Sequence, residues 1–377
     1  MNKKNLRPSF ATIDLSALAF NFSQIRKQIG KIPQIMGIVK ANAYGHGSVV
    51  ISKFLESKKI VSCFGVAFVE EGVELRNNGI KLPILALTHP AESQLQLYLE
   101  NNIEVTICDL QIAKKLNSLS KKFGINAIVH LKIDTGMGRI GIKPSDAKIF
   151  FDEIYKLKFL KVKGIFTHFS SSDDYDLTKA KFQLQLFNDA VKIAKEIFGN
   201  KIIVHAANSG AVLQMPNSYF DMVRPGIIIY GYYPISETRK TFKIKSVMRI
   251  ETEVVFKKSV PKNTSISYSG LFTTTDSTDI VSIPFGYADG YPRLLTNKTE
   301  VLIKGKKYKV VGRICMDQMM IDVGKKSKIK VGEKVILVGK DKTEFIGVDE
   351  LTARLNNLSY EMLCGISPRV PRVYKNG

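Results

Sequence analysis

The sequence is short of the residues that build disulfides and zinc sites. Its four cysteines, Cys63, Cys108, Cys315 and Cys364, show no CxxC spacing, and most lie inside apolar runs. We therefore expect reduced thiols, as in a cytoplasmic protein. The five histidines never recur at i, i+3 or i, i+4, so the pattern of a helical zinc site is missing and no metal is predicted.

Long apolar runs are missing as well. The first residues, MNKKNLRPSFATIDL, include basic side chains but no apolar stretch of signal-peptide length. No later run reaches the length needed to span a membrane. The sequence therefore argues against a secreted or membrane class and predicts a cytoplasmic location without a membrane partner.

Acidic residues are scarce beside basic ones. The chain has 34 Asp plus Glu against 56 Lys plus Arg, a formal net charge of +22. Such an excess could imply nucleic acid or an anionic surface. However, it is nearly all lysine, spread along the chain as at 156–163, 304–309 and 325–330, with few aromatic residues interleaved. This pattern favours a solvated lysine-rich surface and predicts no nucleic-acid partner.

The first part of the chain alternates short apolar runs with helical patterns, after a lead-in helix at 14–29 that Asp14 can cap. Eight strand–helix units over residues 1–240 match the size of a (β/α)8 TIM-type barrel. An open doubly wound sheet shows the same alternation, and pattern alone separates the two poorly. The predicted strands are 35–40, 61–66, 83–87, 104–107, 127–133, 162–167, 202–205 and 220–224, and the predicted helices are 48–57, 69–77, 92–100, 112–122, 146–156 and 178–198.

The second part, residues 241–377, has the period of strands and turns and predicts a separate, mostly β domain. The domain boundary is expected within 232–243. Gly305 and the lysine pair after it look like a hairpin connection. The predicted strands here are 244–256, 279–283, 300–304, 308–313, 319–323 and 334–338.

Lys40 stands directly after an apolar run that is typical of a strand buried on both faces. An amine at such a place loses hydration, which lowers its pKa and makes it nucleophilic. A lysine whose ammonium simply reaches water is the alternative. The loop that follows, NAYGHG, holds two glycines that allow a ligand to approach the backbone closely.

The stretches IMGIVKANAYGHG and LKIDTGMGRIG resemble motifs of the alanine racemases. Further matches are SISYSG, GYADGYPR, GRICMDQ and YEMLCGISPRVPRVY, so that the resemblance runs from about residue 8 to the end. It implies that Lys40 forms a Schiff base with pyridoxal phosphate. Ser269, Pro225 and Pro368 depart from the common motifs, which bears on loop shape and substrate range.

The resemblance also implies roles for residues at the strand ends of the barrel. Arg139 would bind the substrate carboxylate and the cofactor phenolic oxygen, and Lys132 matches a lysine that is commonly carbamylated. His168 would lie beside the catalytic tyrosine, and Arg224 would face the pyridine nitrogen. The residues matching the phosphate ligands are Tyr44, Ser209, Gly226, Ile227 and Tyr360.

In the second domain, Tyr268 matches the tyrosine that serves the face of the substrate opposite Lys40, because racemisation needs a base on each face. The resemblance places Tyr268, Tyr287 and Met316 in the active site of a partner subunit and so implies a homodimer. The predicted function is interconversion of L- and D-alanine by two-base proton transfer on a pyridoxal-phosphate aldimine, which supplies D-alanine for peptidoglycan. The rivals are a broad-specificity racemase, a non-catalytic pyridoxal-phosphate carrier and a basic nucleic-acid-binding protein.

Overall fold

The computed structural model describes residues 7–377. Residues 1–6, which begin the N-terminal segment for which no signal peptide is predicted, lie outside this range. The described chain forms two compact units, one made of residues 18–245 and the other of residues up to Ala17 together with Ser246–Gly377. Within residues 7–377, the longest apolar helices fall short of what crossing a membrane requires.

The described chain begins with strand β1 (Phe10–Asp14) and helix α1 (Leu15–Ile29). The Asp14 carboxylate accepts hydrogen bonds from the N–H groups of Ser16, at 2.9 Å, and Ala17, at 3.1 Å. Burial alone would raise the pKa of Asp14, but these bonds outweigh it and the pKa is lowered. The predicted helix and its cap are confirmed, since a carboxylate that satisfies the first free N–H groups starts a helix.

The unit of residues 18–245 is a closed parallel barrel, as predicted, and the open sheet is excluded. All eight predicted strands are present, because runs buried on both faces belong at the centre of such a barrel. Their bounds are β2 (Gln34–Ile38), β3 (Cys63–Val66), β4 (Ile84–Ala86), β5 (Glu104–Ile107), β6 (Ala127–Lys132), β7 (Leu160–Phe166), β8 (Ile203–His205) and β9 (Met222–Val223). The strands pair in chain order, and β9 pairs with β2 to close the ring.

Helices follow the barrel strands, and three of them coincide with their predicted bounds. The helical segments are α2 (Lys40–Tyr44), α3 (Ser48–Ser57), α4 (Val69–Asn77), α5 (Leu95–Glu100), α6 (Leu110–Phe123), α7 (Ala147–Tyr155), α8 (Thr178–Phe198) and α9 (Ser209–Gln214). The predicted helix 92–100 is divided into a 3-10 turn, Glu92–Gln94, and α5. The strands and helices together place the carboxyl ends of eight strands on one face, where the barrel loops gather.

The second unit is mostly β, as predicted. Its elements are β10 (Met248–Glu253), β11 (Phe256–Val260), β12 (Ser265–Ile266), β13 (Phe272–Thr273), β14 (Thr278–Ile283), β15 (Glu300–Ile303), β16 (Lys306–Lys309), β17 (Met319–Asp322), β18 (Lys334–Asp341), β19 (Glu344–Ile346), α10 (Val348–Ala353), α11 (Ser359–Gly365) and β20 (Arg372–Lys375). The largest sheet runs β16-β15-β18-β10-β1-β20, with β19 beside β18. Two smaller sheets are β11-β14-β17 and β12-β13.

The predicted division at residue 240 differs from the structure at the start of the chain. Strand β1 pairs antiparallel with β10 and parallel with β20, so it is a member of the C-terminal sheet and not of the barrel. The chain pattern predicted no sheet partner for residues 10–14, because the strands that pair with β1 lie more than 200 residues away. The boundary after the barrel falls at Lys245, a few residues beyond the predicted one.

The predicted hairpin is present, with its strands shifted. Strands β15 and β16 pair through Ile303 and Lys306, so the turn consists of Lys304 and Gly305 alone. Both turn residues have positive φ, 52° and 77°. This is the handedness of tight hairpin turns, which glycine adopts at little cost. The strand predicted at 308–313 therefore begins two residues earlier, and the lysine pair belongs to it.

Asn21 of α1 links that helix to the end of the barrel chain. Its side chain is fully buried, donates to the carbonyls of Ile229 at 3.0 Å and Lys245 at 2.8 Å, and accepts from the Lys245 N–H at 2.7 Å. Asn21→Ala would leave these buried backbone groups without partners. We expect a loss of about 2–4 kcal/mol in the free energy of unfolding, measured by chemical denaturation.

The matched control is Ser23→Ala on the exposed side of the same helix, which should change the free energy of unfolding by no more than about 0.5 kcal/mol. Equal effects of the two substitutions would contradict the anchoring role of Asn21.

Candidate active site

Lys40 lies at the carboxyl end of β2 and opens a turn with reversed handedness. Ala41, Asn42, Ala43 and Tyr44 all have φ between 51° and 54°. Four successive non-glycine residues in this region are unfavourable. In a left-handed turn Cβ lies too close to the following carbonyl oxygen, which costs about 1–2 kcal/mol per residue. Strain of this kind persists only where surrounding contacts enforce it, and it is concentrated at functional sites.

Two polar side chains hold the left-handed turn. The Glu71 carboxylate accepts from the N–H groups of Ala41 and Ala67, both at 2.6 Å. The Asn42 side-chain oxygen accepts from the Ser48 N–H at 2.8 Å, at the start of α3. Glu71 thereby ties the residue after Lys40 to the loop between β3 and α4.

Aromatic rings fix the far end of the same turn. The Tyr44 ring lies 5.0 Å from that of Tyr230, and the His46 ring stacks on Tyr230 at 4.5 Å. The Tyr230 hydroxyl donates to the carbonyl of Ile38 at 2.8 Å. Since Ile38 is the last residue of β2, these contacts fix the position of Lys40 from both sides.

Lys132, at the end of β6, is buried with only 2% of its surface exposed. Its ammonium lies 4.7 Å from the centre of the Phe166 ring, and within residues 7–377 its Nζ has no hydrogen-bond partner. Burial, reinforced by Arg224 and Arg139, lowers the pKa of Lys132 well below its usual value. A buried amine without a hydrogen-bond partner calls for a further group.

Arg139 follows Lys132 on an exposed loop that Asp134 organises. The Asp134 carboxylate accepts from the N–H groups of Gly136, at 3.0 Å, Met137, at 2.8 Å, and Gly138, at 3.0 Å. Burial alone would raise the pKa of Asp134, but these bonds lower it. Asp134 therefore shapes the loop that carries Arg139.

His168 lies just beyond the end of β7, among the cations of the barrel. Burial lowers its pKa well below the usual value, and the further causes are Arg224, Lys132, Arg139 and Lys40. The structure thus brings together five predicted site residues, His168 and these four, from four strand ends. Arg224, Arg139 and Lys40 beside this neutral imidazole create a positive potential that suits a ligand with more than one anionic group.

Arg224 follows β9 and is almost fully buried. Its Nη2 donates to the carbonyls of Thr167, at 2.7 Å, and Ala206, at 3.0 Å, and its Nη1 donates to Nδ1 of His205 at 3.0 Å. Burial lowers the pKa of Arg224 to about 9, which still leaves the guanidinium charged at neutral pH. These bonds use three of its five N–H groups.

Three of the predicted phosphate ligands meet beside this cluster. The Ser209 hydroxyl accepts from the Gly226 N–H at 2.8 Å. A Cβ on Gly226 would lie only 2.6 Å from the Tyr44 hydroxyl oxygen, so only glycine allows this approach. Ile227 continues from Gly226 into a buried 3-10 turn. Tyr44, Ser209 and Gly226 therefore form a cradle of hydroxyl and backbone N–H groups.

The remaining predicted residues lie in the other unit. Tyr268, Tyr287 and Met316 are exposed there by 66%, 39% and 52%. Their loops are joined by hydrogen bonds: the N–H of Tyr287 donates to the Cys315 carbonyl at 3.1 Å, and the Ser267 hydroxyl donates to the Arg313 carbonyl at 2.7 Å. The predicted phosphate ligand Tyr360 belongs to α11 of the same unit.

The backbone on both sides of Tyr268 is strained. Ser267 and Ser269 have φ of 67° and 61°, a region that glycine adopts at little cost. Three exposed side chains of predicted function thus stand on bonded loops, and one of them is presented by a strained turn.

Comparison with known proteins assigns the family. Residues 13–234 match the model for the alanine racemase N-terminal domain, and residues 247–374 match the model for the C-terminal domain. The chain belongs to the alanine racemase family.

Similar full-length proteins support the assignment. The chain is 39% identical to the alanine racemase of Halothermothrix orenii, over 100% of the chain and 99% of the relative. It is 43% identical to that of Clostridium novyi, over 99% and 97%. The solved alanine racemase of Clostridium difficile 630 superposes with a TM-score of 0.93 at 38% identity, covering 98% of this chain and 96% of that one. The chain is therefore an amino-acid racemase that interconverts L- and D-alanine, and its family depends on pyridoxal phosphate.

Sequence reasoning missed several residues that build this alanine racemase site. Glu71 lies three positions into α4, where an acidic residue commonly caps a helix, but nothing in the sequence links it to Lys40. Tyr230 likewise acts on a residue that only the folded barrel brings near, whereas the contacts of Asp134 are local in sequence.

Glu71→Ala should release the left-handed turn after Lys40. Removal of the carboxylate leaves the N–H groups of Ala41 and Ala67 without their acceptor, and we expect amide exchange at residues 41–45 to rise by about tenfold or more. Hydrogen-exchange mass spectrometry measures this directly. Glu74→Ala, an exposed acid on the same helix, is the control, and equal protection in both variants would refute the role of Glu71.

Proposed function

We propose that Lys40 and Tyr268 are the two bases of this alanine racemase, and that the cluster around His168 binds pyridoxal phosphate and the substrate. The observation that carries the proposal is the convergence of Lys40, Arg139 and Arg224, with Lys132, at one end of the barrel beside a cradle of hydroxyl and N–H groups. A cofactor with a phosphate and a substrate with a carboxylate match this positive site in charge.

The residues present fit the cofactor. The cradle of Tyr44, Ser209 and Gly226, with Ile227 behind it, suits a phosphate, and Tyr360 is the fifth residue we assign to it. Arg224 keeps two N–H groups that its described bonds do not use, and one of these suits a pyridine nitrogen. When bound, pyridoxal phosphate withdraws electrons from the substrate α-carbon and makes its proton removable.

Arg224 also decides how strongly the bound ring withdraws electrons. A guanidinium donates to the ring nitrogen without giving up its proton, so the nitrogen remains unprotonated. We propose that this limits the chemistry to proton exchange at the α-carbon. Arg139 would hold the substrate carboxylate, and His168, kept neutral by burial and its cationic neighbours, would not add to the positive charge.

Tyr268 serves the face of the substrate opposite Lys40. Its exposure in its own chain, shared with Tyr287 and Met316, supports a role in the site of a partner subunit. We therefore propose a homodimer in which each β unit completes the partner's barrel site. We also propose that the enzyme acts in the cytoplasm, and that its D-alanine serves peptidoglycan.

Lys132 is proposed to be carbamylated. A neutral amine attacks carbon dioxide, forms an N–C bond and releases one proton, which gives a carbamate anion. The depressed pKa and the lack of a hydrogen-bond partner for Nζ within residues 7–377 favour this reaction. The anion would then hold Arg139 by a charge-assisted hydrogen bond.

The test of the function is proton NMR of alanine in D2O with purified protein and added cofactor. Wild type should exchange the α-proton of both enantiomers and form D-alanine from L-alanine. Lys40→Ala should lose about 10²–10⁴-fold in rate.

The Tyr268→Phe variant tests the second base. It should still exchange the α-proton of one enantiomer while racemisation falls by about 10²–10⁴-fold. Exchange of both enantiomers at wild-type rate would refute Tyr268 as a base. A panel of other amino acids with wild type distinguishes a broad-specificity racemase, and cofactor binding without any exchange would point to a carrier.

Carbamylation of Lys132 predicts a mass increase of one carbon dioxide on the peptide that contains it, in protein kept at neutral pH with bicarbonate. Acid should remove the added mass. Lys132→Ala should lose activity and regain part of it with a short-chain carboxylate in the buffer. An unmodified lysine at saturating bicarbonate would contradict the proposal.

A further inference from the structure

A line of buried polar groups crosses the barrel interior and ends at Arg224. His205 Nε2 lies 2.9 Å from His130 Nδ1, and His130 Nε2 lies 2.9 Å from Glu104 Oε2. The second carboxylate oxygen of Glu104 accepts from the Lys163 ammonium. Glu104 is the first residue of β5, whereas Arg224 follows β9, so the line runs from the amino ends of the strands to the carboxyl ends.

The barrel makes space for this line. His130 is on β6 and His205 is on β8, so their contact must pass over β7. Gly164 of β7 lies at that place, and a Cβ there would come within 2.5 Å of His130 Nδ1. The pairing of β6 with β7 also shifts register between Val129 and His130. The glycine and the register shift occur at the same point of the barrel and leave room there for the His130 imidazole.

Hydrogen-bond chemistry gives the line a single direction. A guanidinium only donates, so Nδ1 of His205 must accept from Arg224, and its proton must be on Nε2. A carboxylate only accepts, so Nε2 of His130 must donate to Glu104 and its Nδ1 must accept from His205. Both imidazoles are therefore neutral and carry the proton on Nε2. The pKa values of His205 and His130 are lowered, first by burial, in agreement with this assignment.

The charges at the two ends of the line complement each other. Within residues 7–377, Arg224 forms no direct ion pair with a carboxylate. Its hydrogen bonds connect it through His205 and His130 to one acid, Glu104. Burial alone would raise the pKa of Glu104, but His130 and Lys163 outweigh it and lower the pKa, so the carboxylate is ionised. The Phe166 ring stacks on His205 at 4.8 Å and covers the line where Lys132 and Arg224 approach.

Burying such a line of charged and polar groups inside a barrel is unfavourable for stability. Apolar side chains normally occupy this space, and buried ion pairs are often no better for stability than apolar residues of similar volume. A role beyond packing would explain why charged and polar groups are kept here.

We propose that Glu104 is a positioning residue for the reaction, which acts through His130 and His205 to hold Arg224 as a fixed, charged donor to the cofactor ring nitrogen. This inference rests on the proposed function. Its consequence is fidelity: a well-held Arg224 keeps the ring nitrogen unprotonated and suppresses transamination.

In that side reaction, the proton removed from the α-carbon is returned to the cofactor carbon instead. Water then cleaves the C=N bond to the substrate, releasing pyruvate and leaving pyridoxamine phosphate. Alanine is oxidised and the cofactor is reduced, so no other reactant is needed.

The decisive experiment compares Glu104→Gln with the double variant Glu104→Gln/Lys163→Met in the full-length holoenzyme. In the single variant the new amide N–H faces the Lys163 ammonium, which should lower stability. The double variant removes that clash but still lacks the carboxylate. The measured quantities are the midpoint of urea unfolding and the number of pyruvate molecules formed per D-alanine formed.

We expect the double variant to unfold near the wild-type midpoint while its pyruvate ratio is raised by about tenfold. If the double variant has both the wild-type stability and the wild-type pyruvate ratio, the proposal is overturned and the role of Glu104 is purely structural. Thr106→Val is the matched control. Thr106 is on the same strand as Glu104, and the substitution removes the buried bond from its hydroxyl to the Ala86 carbonyl of β4, so the ratio should stay at the wild-type value. A raised ratio in this control would also overturn the proposal.

A second readout is independent of turnover. Nitrogen-15 NMR of the histidine-labelled holoenzyme should show His130 and His205 as neutral Nε2–H tautomers near neutral pH, assigned with His130→Gln and His205→Gln. A protonated ring or an Nδ1–H tautomer at either position would overturn the direction of the line. If wild type itself neither binds the cofactor nor racemises alanine, the proposed function fails. If wild type racemises and the Glu104 variants keep the wild-type pyruvate ratio, only the present inference fails.

Discussion

The buried guanidinium of Arg224 is the constraint on which the barrel site depends. A charge that has lost its water must be surrounded by acceptors, and here two backbone carbonyls and one imidazole supply them. This fixes the plane of the guanidinium and leaves two N–H groups outside those bonds. Burial first, and then the positive charge of Arg224, lower the pKa values of His168 and Lys132, which keeps His168 neutral and favours a neutral amine at Lys132. The proposed binding of an anionic cofactor and substrate matches this unbalanced positive charge.

Backbone strain marks both parts of the predicted catalytic machinery. The turn after Lys40 has four residues with positive φ, and Tyr268 is flanked by two more. In the barrel, Glu71 and the Tyr230 ring stabilise the strained turn, so contacts from neighbouring strands and helices offset the cost of its backbone strain. In the β unit, a hydrogen bond from Ser267 to the Arg313 carbonyl does so. Both proposed bases are thus placed by contacts that are remote in sequence.

Local pattern was sufficient for much of this fold and insufficient for the rest. Strand β5 and helices α3, α4 and α8 have their predicted bounds, because runs buried on both faces and amphipathic spacing are local signals. The sheet partners of β1 could not be predicted, since they lie at the other end of the chain. Most of the site residues came from motif resemblance, and the barrel residues among them are brought together by strand ends. Glu71 and Glu104 were missed because their partners are 26 to 59 residues away, in bonds that only the closed barrel creates.

The division of labour between the two units has a physical reason. The barrel supplies rigid strand ends, which suit charges that must be held with all their donors satisfied, as in Arg224. A base that exchanges a proton with substrate needs a surrounding that excludes water, yet Tyr268 is two-thirds exposed within its own chain. The role we propose for Tyr268 therefore requires a surface that covers it, and such a surface would cover Tyr287 and Met316 at the same time. The proposed homodimer would meet this need, because a site completed between two chains excludes water from the proposed base.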